Sequence, residues 1–145
     1  MLLRDDRQAA LNRVENACLE SADGYAAAAG HAHDAALGAL FDEAQRQRQR
    51  LAAELAPHIR ALGDLPPQPD PDREAFAQVV GNIKAFLSAD SDSALLEQRL
   101  AAETDLEQAV LAALDEPLPP DTHDMLQRML GEIGQMRARL LQTLH

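Results

Sequence analysis

Along this chain, apolar residues return at the three- and four-residue spacing of helices that bury one face. The first predicted helix runs from about Asp5 to Gly30, with Leu11, Val14, Cys18, Tyr25 and Ala28 on one stripe. Asp5 and Asp6 suit its positive end. A polar turn, His31-Ala32-His33-Asp34, follows, and Asp34 is a candidate N-cap for a second helix. That helix carries Leu37, Leu40, Phe41, Ala44, Leu51, Leu55, Ile59 and Leu62, with Gly63 placed as a C-terminal cap. Pro57 is expected to kink it or to split off its last turn.

Four prolines between Leu65 and Asp72 exclude both helix and central strand there and predict a stiff connector. A short amphipathic helix is predicted from about Asp72 to Ser88, with Phe76, Val79, Val80, Ile83, Phe86 and Leu87 as its apolar content. Ser91 then caps a long helix with Leu95, Leu96, Leu100, Leu106, Val110, Ala113 and Leu114 inward. The turn Pro117-Leu118-Pro119-Pro120-Asp121 ends it, and the last helix reaches Leu144 on a stripe of Leu126, Met129, Ile133, Met136 and Leu140. The pattern is hairpin, long crossover, hairpin: about residues 5–63, 64–90 and 91–145. Short links make antiparallel neighbours, and a long link carries the chain back along the bundle, the connectivity of a ferritin-like fold. The expectation is one all-α domain, a four-helix bundle whose crossover holds a short extra helix.

Composition sharpens this. Trp is absent and aromatic residues are only 3% of the chain, too few for a sandwich or barrel. At 145 residues one core can form unaided. A net charge of −11 disfavours nucleic acid and anionic membrane surfaces as partners. Cys18, the one cysteine, excludes an internal disulfide and is expected to act as a small hydrophobe on its stripe. No stretch approaches the roughly 20 apolar residues of a membrane span, so the expected location is cytoplasmic.

Several short strings have a familiar order. The first hairpin has Asp23-Gly24-Tyr25, Ala39-Leu40-Phe41, Arg48 and Leu51-Ala52-Ala53-Glu54-Leu55 before Leu62-Gly63; the second has Leu96-Glu97, Glu103, Ala113-Leu114 and Leu118-Pro119-Pro120-Asp121. From about Leu11 to Leu140 the chain resembles a bacterial family of small ferritin-like four-helix bundles, the domain of unknown function 2383 type. The resemblance implies the fold, and loosely a place in stress physiology, but no reaction or substrate. The proline-rich segment after Gly63 departs from the family pattern, as do Gln135 and Met136 where a histidine is expected.

A ferritin-like di-iron centre draws carboxylates from four helices and imidazoles from two, as Glu-x-x-His. That motif is missing: Glu43 is followed three residues later by Arg46, and Glu132 by Gln135. Gln47, Arg48, Glu103 and Gln135 fall near the inward stripe at mid-bundle height. They read as a buried polar layer with Glu103 paired to Arg48, as solvated positions beside the seam, or as the surroundings of an incomplete metal site of Glu43, Glu103 and Glu132. Among the histidines, His58 lies four residues after Glu54, while His31, His33, His123 and His145 sit at turns or ends. In the run Gln45 to Arg50, Arg46 has Asp42 four residues before it and Arg50 has Glu54 four after, the spacing of ion pairs on a solvated face. No Gly-x-Ser-x-Gly turn or phosphate-binding glycine loop is present.

Two functional classes remain. One is a non-catalytic bundle without cofactor that acts through self-association, as a homodimer, or through a protein partner; the Phe76–Leu87 helix is a candidate contact. The other is a metal-binding protein, of iron or manganese, with an incomplete ligand set.

Overall fold

The computed structural model describes residues 6–63 and 91–144. They form four helices: α1 (Asp6–His31), α2 (Ala35–Ala61), α3 (Asp92–Leu114) and α4 (Pro120–Leu144). No strand occurs among the described residues. Round the bundle the neighbours are α1, α2, α4 and α3, with α2 and α4 approaching each other least closely. The predicted connector and the Phe76–Leu87 helix lie outside the described residues.

Each helix buries the stripe its spacing marks. On α1 these are Leu11, Val14, Cys18, Tyr25 and Ala28; on α4, Leu126, Met129, Ile133, Met136 and Leu140. The core is not continuous along the bundle. One apolar compartment gathers Leu11, Val14 and Cys18 with Leu51, Leu55, Leu106, Val110, Met129 and Ile133. The other gathers Tyr25, Ala28, Leu37, Phe41, Ala44, Leu95, Leu96, Met136 and Leu140. The order of these residues makes every pair of neighbouring helices antiparallel. The chain therefore leaves α2 in one compartment, at Ile59, and enters α3 in the other, at Leu95.

The helix ends hold several departures from expectation. Asp34 does cap α2, its carboxylate accepting from the Leu37 N–H at 3.1 Å. Ser91 stands at the N-cap position of α3, but its hydroxyl makes no capping bond and is buried without a partner. Asp92, one residue on, takes a different role: its two carboxylate oxygens accept from the backbone N–H groups of His33 and Asp34, at 2.8 and 2.9 Å. The first hairpin turn thus grips the start of the second hairpin. Pro57 does not split off the last turn of α2, which continues to Ala61. Both Pro57 and Ala53, whose carbonyl the ring leaves without an amide, are exposed, so water can serve that carbonyl. Gly63 is not in a left-handed conformation; α2 closes on short bonds from Leu62 N–H to Ile59 and from Gly63 N–H to Arg60. A Cβ there would stand 2.4 Å from Gln8 Nε2, the movable end of that side chain.

The His33 N–H, followed by that of Asp34, holds the Asp92 carboxyl below its ordinary range. A depressed folded pKa stabilises the protein above the ordinary carboxylate range, and that contribution is lost as pH falls through the folded value. Asp92→Ala is therefore expected to cost about 0.5–1 kcal/mol at neutral pH. Urea denaturation of both proteins down to acid pH should show the gap closing; a gap unchanged at low pH contradicts the clamp.

Candidate functional site

Between the two apolar compartments lies a charged layer. The stripe of α2 runs Phe41, Ala44, Arg48, Leu51, and that of α3 runs Leu96, Arg99, Glu103, Leu106, so helical spacing alone turns Arg48, Arg99 and Glu103 inward. All three are at most 1% exposed. Arg48 Nη2 donates to both oxygens of Glu103, at 2.8 and 2.9 Å. The Tyr25 hydroxyl donates to Glu103 Oε1 as well. The Arg48 and Arg99 guanidinium carbons lie 5.9 and 5.3 Å from the centroid of the Tyr25 ring, which also packs on Phe41 at 5.8 Å. Glycine makes this possible on α1: a Cβ at Gly24 would stand 2.0 Å from Arg99 Nη1.

The layer holds two cations and one anion in the dry interior. Burial raises the Tyr25 pKa, and the neighbouring Glu103 carboxylate raises it further, so the phenol keeps its proton and donates. Burial pulls Arg99 below its ordinary value, with Tyr25 and Glu103 acting against that shift. Cys18, near Arg48 and Glu103, is pushed up to about 12 mainly by burial, so it stays a thiol.

Sequence spacing put Arg48 and Glu103 in such a layer, and the structure brings them together. It does not bring in the others. Gln135, expected in the layer, is exposed instead: Met136 takes the inward place, and one residue along a helix turns a side chain by about 100°. Gln47, beside Arg48, is half-buried, with its Oε1 shielded and unpartnered. The metal candidates do not converge. Glu43 is exposed and pairs with Arg139 at 2.5 Å, and Glu132 pairs with Arg50 at 2.5 Å. Arg50 also meets Glu54 at 3.1 Å, as spacing predicts, whereas no Asp42–Arg46 pair forms. With Glu54 so engaged, His58 turns elsewhere: its Nδ1 lies 2.7 Å from Thr122 Oγ1 and 4.0 Å from Asp121 Oδ2.

Among the described residues no three His, Cys, Asp or Glu side chains gather as a metal site. The donor set at the centre does not suit a di-iron or di-manganese pair: it has one carboxylate, no imidazole and two guanidinium groups, which repel cations. Between α2 and α4 runs an open groove of about 330 Å³ lined by Glu43, Arg46, Gln47, Arg50, Met136 and Arg139. The Arg50–Glu132 and Arg139–Glu43 pairs lace it from side to side.

Residues 6–116 match the family model described as Domain of unknown function (DUF2383). The chain belongs to the DUF2383 family. Neither a curated protein nor a solved structure matches it. All four members of the charged layer, Tyr25, Arg48, Arg99 and Glu103, lie inside the matched DUF2383 segment. Helix α4 lies outside it and contributes Met136 and Leu140 to the compartment that holds Tyr25.

Tyr25 and Arg99 were not singled out from sequence. The available signals were the position of Arg99 on the α3 stripe, four residues before Glu103, and the need of a buried phenol for a partner.

Removing either member of the pair strands the other, so Arg48→Ala and Glu103→Ala should each cost about 3–5 kcal/mol. The double mutant should cost clearly less than their sum in denaturant titrations; strict additivity would show that the pair is not energetically coupled. Gly24→Ala must displace a buried guanidinium and should cost about 1–3 kcal/mol. Gly63→Ala meets only the end of a flexible glutamine and should stay within about 0.5 kcal/mol. Equal costs at the two glycines would count against a fixed Arg99.

Proposed function

We propose that this DUF2383 protein is a ferritin-like bundle without chemistry of its own, which acts through its surface by forming a homodimer or engaging a protein partner. Its charged layer serves to set helix register. The observation that carries this reading is the Arg48–Glu103 pair. A cation bound by Glu103 would need the place the guanidinium fills, and the carboxylate has both oxygens engaged. A displaced register would leave three buried charges without each other, so the layer penalises every alternative packing.

The remaining acids support the same reading, because Glu43 and Glu132 are already neutralised by arginines at the surface. The groove between α2 and α4 is open rather than enclosed, which suits contact with a protein better than retention of a small substrate. Among the described residues no helix is long and apolar enough to cross a membrane. We infer a cytoplasmic location from the sequence pattern, and a bacterial, stress-related role from the family resemblance.

Metal analysis of protein purified without chelators is expected to find iron and manganese far below one per chain. Stoichiometric metal that is lost in Glu103→Ala and Glu132→Ala would replace this reading with the metal-binding one. Light scattering should give the mass of two chains. A single-chain mass would remove the homodimer and leave the partner.

A further inference from the structure

The charged layer is not neutral. Glu103 answers one guanidinium, and the layer contains two. Nε and Nη1 of Arg99, and Nε and Nη1 of Arg48, have no hydrogen-bond partner although they are buried. Both guanidinium groups lie against a single ring, that of Tyr25, their carbons 5.9 and 5.3 Å from its centroid. A cation–π contact offsets only part of the cost of burying a charge. Arginine does not escape that cost by losing its proton, because the delocalised guanidinium stays charged in proteins. Among the described residues no carboxylate forms an ion pair with Arg99, and a counter-ion would answer its charge.

We propose that the Arg48 and Arg99 guanidinium groups bind one small monovalent inorganic anion, of chloride or bromide size, beside Tyr25, and that it is taken up as the bundle folds. The unpaired N–H groups supply donors from two helices, and Glu103 leaves a local excess of one positive charge. Apolar compartments close the layer on both sides, which favours a single-atom anion over an oxyanion with further polar atoms to satisfy. Gly24 is part of the site, since the missing Cβ gives Arg99 its place. The proposal goes beyond the scaffold reading and holds whether or not the protein self-associates.

Thermal unfolding of the full chain in sodium bromide and in sodium methanesulfonate, at matched ionic strength, tests it. An anion that binds only the folded state should raise Tm by about 4 °C for each tenfold rise in bromide above its Kd. Methanesulfonate, too bulky for the layer, should leave Tm flat. Arg99→Met should still unfold cooperatively and lose the bromide response. Equal melting in the two salts, or a bromide response that survives in Arg99→Met, overturns the site. If Arg99→Met does not fold, anomalous diffraction from wild-type crystals grown in bromide decides. A peak within hydrogen-bonding reach of Arg99 supports the proposal, and peaks confined to the surface refute it.

Discussion

The contact between Arg48 and Glu103 is the constraint around which this bundle is arranged. Two ions that share a dry interior are tolerable together and very costly apart. One comes from α2 and the other from α3, helices that stand diagonally across the bundle, so their pairing fixes the height of one hairpin against the other. Apolar side chains alone specify such heights poorly, because Leu packs nearly as well one turn up or down. The tyrosine on α1 adds a third helix to the same carboxylate. The fourth contributes no buried charge, and its Met136 and Leu140 join the compartment around Tyr25.

The surface pairs follow a different logic. Arg50 with Glu132, Arg139 with Glu43, and Arg137 with Glu107 join neighbouring helices across exposed or half-exposed positions. Water and salt screen such contacts, so each adds little. Their consequence is chemical: the carboxylates that an incomplete metal centre would have to recruit lie at the rim, each beside an arginine. The clamp of Asp92 on the first turn is also exposed, but it joins the two hairpins at one end of the bundle, where the paired backbone N–H groups form a ready acceptor site for a carboxylate.

Much of this was legible along the chain. The stripes of all four helices could be read, because burial on one face of a helix writes a period near 3.6 into the sequence. Arg48 and Glu103 could be placed for the same reason, since they interrupt an apolar stripe at a stripe position. Gln135 failed because it sits one residue off the stripe, and the rule that finds a buried face gives no tolerance for a neighbour. Ser91 failed because capping depends on a hydroxyl's rotamer and surroundings, which residue type alone does not dictate. Gly63 failed as a left-handed cap because α2 closes instead on i to i−3 bonds from Leu62 and Gly63.

By itself, then, the sequence determined that the chain is helical, where the helices turn, and which face of each is buried, since these depend on neighbours three and four residues away. Tertiary structure decided most of the charge pairs between helices. Spacing pairs Arg48 with Glu103, but the pairs of Glu43 with Arg139 and of Glu132 with Arg50 come from the packing of α2 against α4. Tertiary structure also decided that Arg99 stacks on Tyr25 in the space left by Gly24, a contact spanning 74 positions that no local period records. Pairing among buried charges is set by distance in three dimensions, and one residue's turn of about 100° is enough to change the partner.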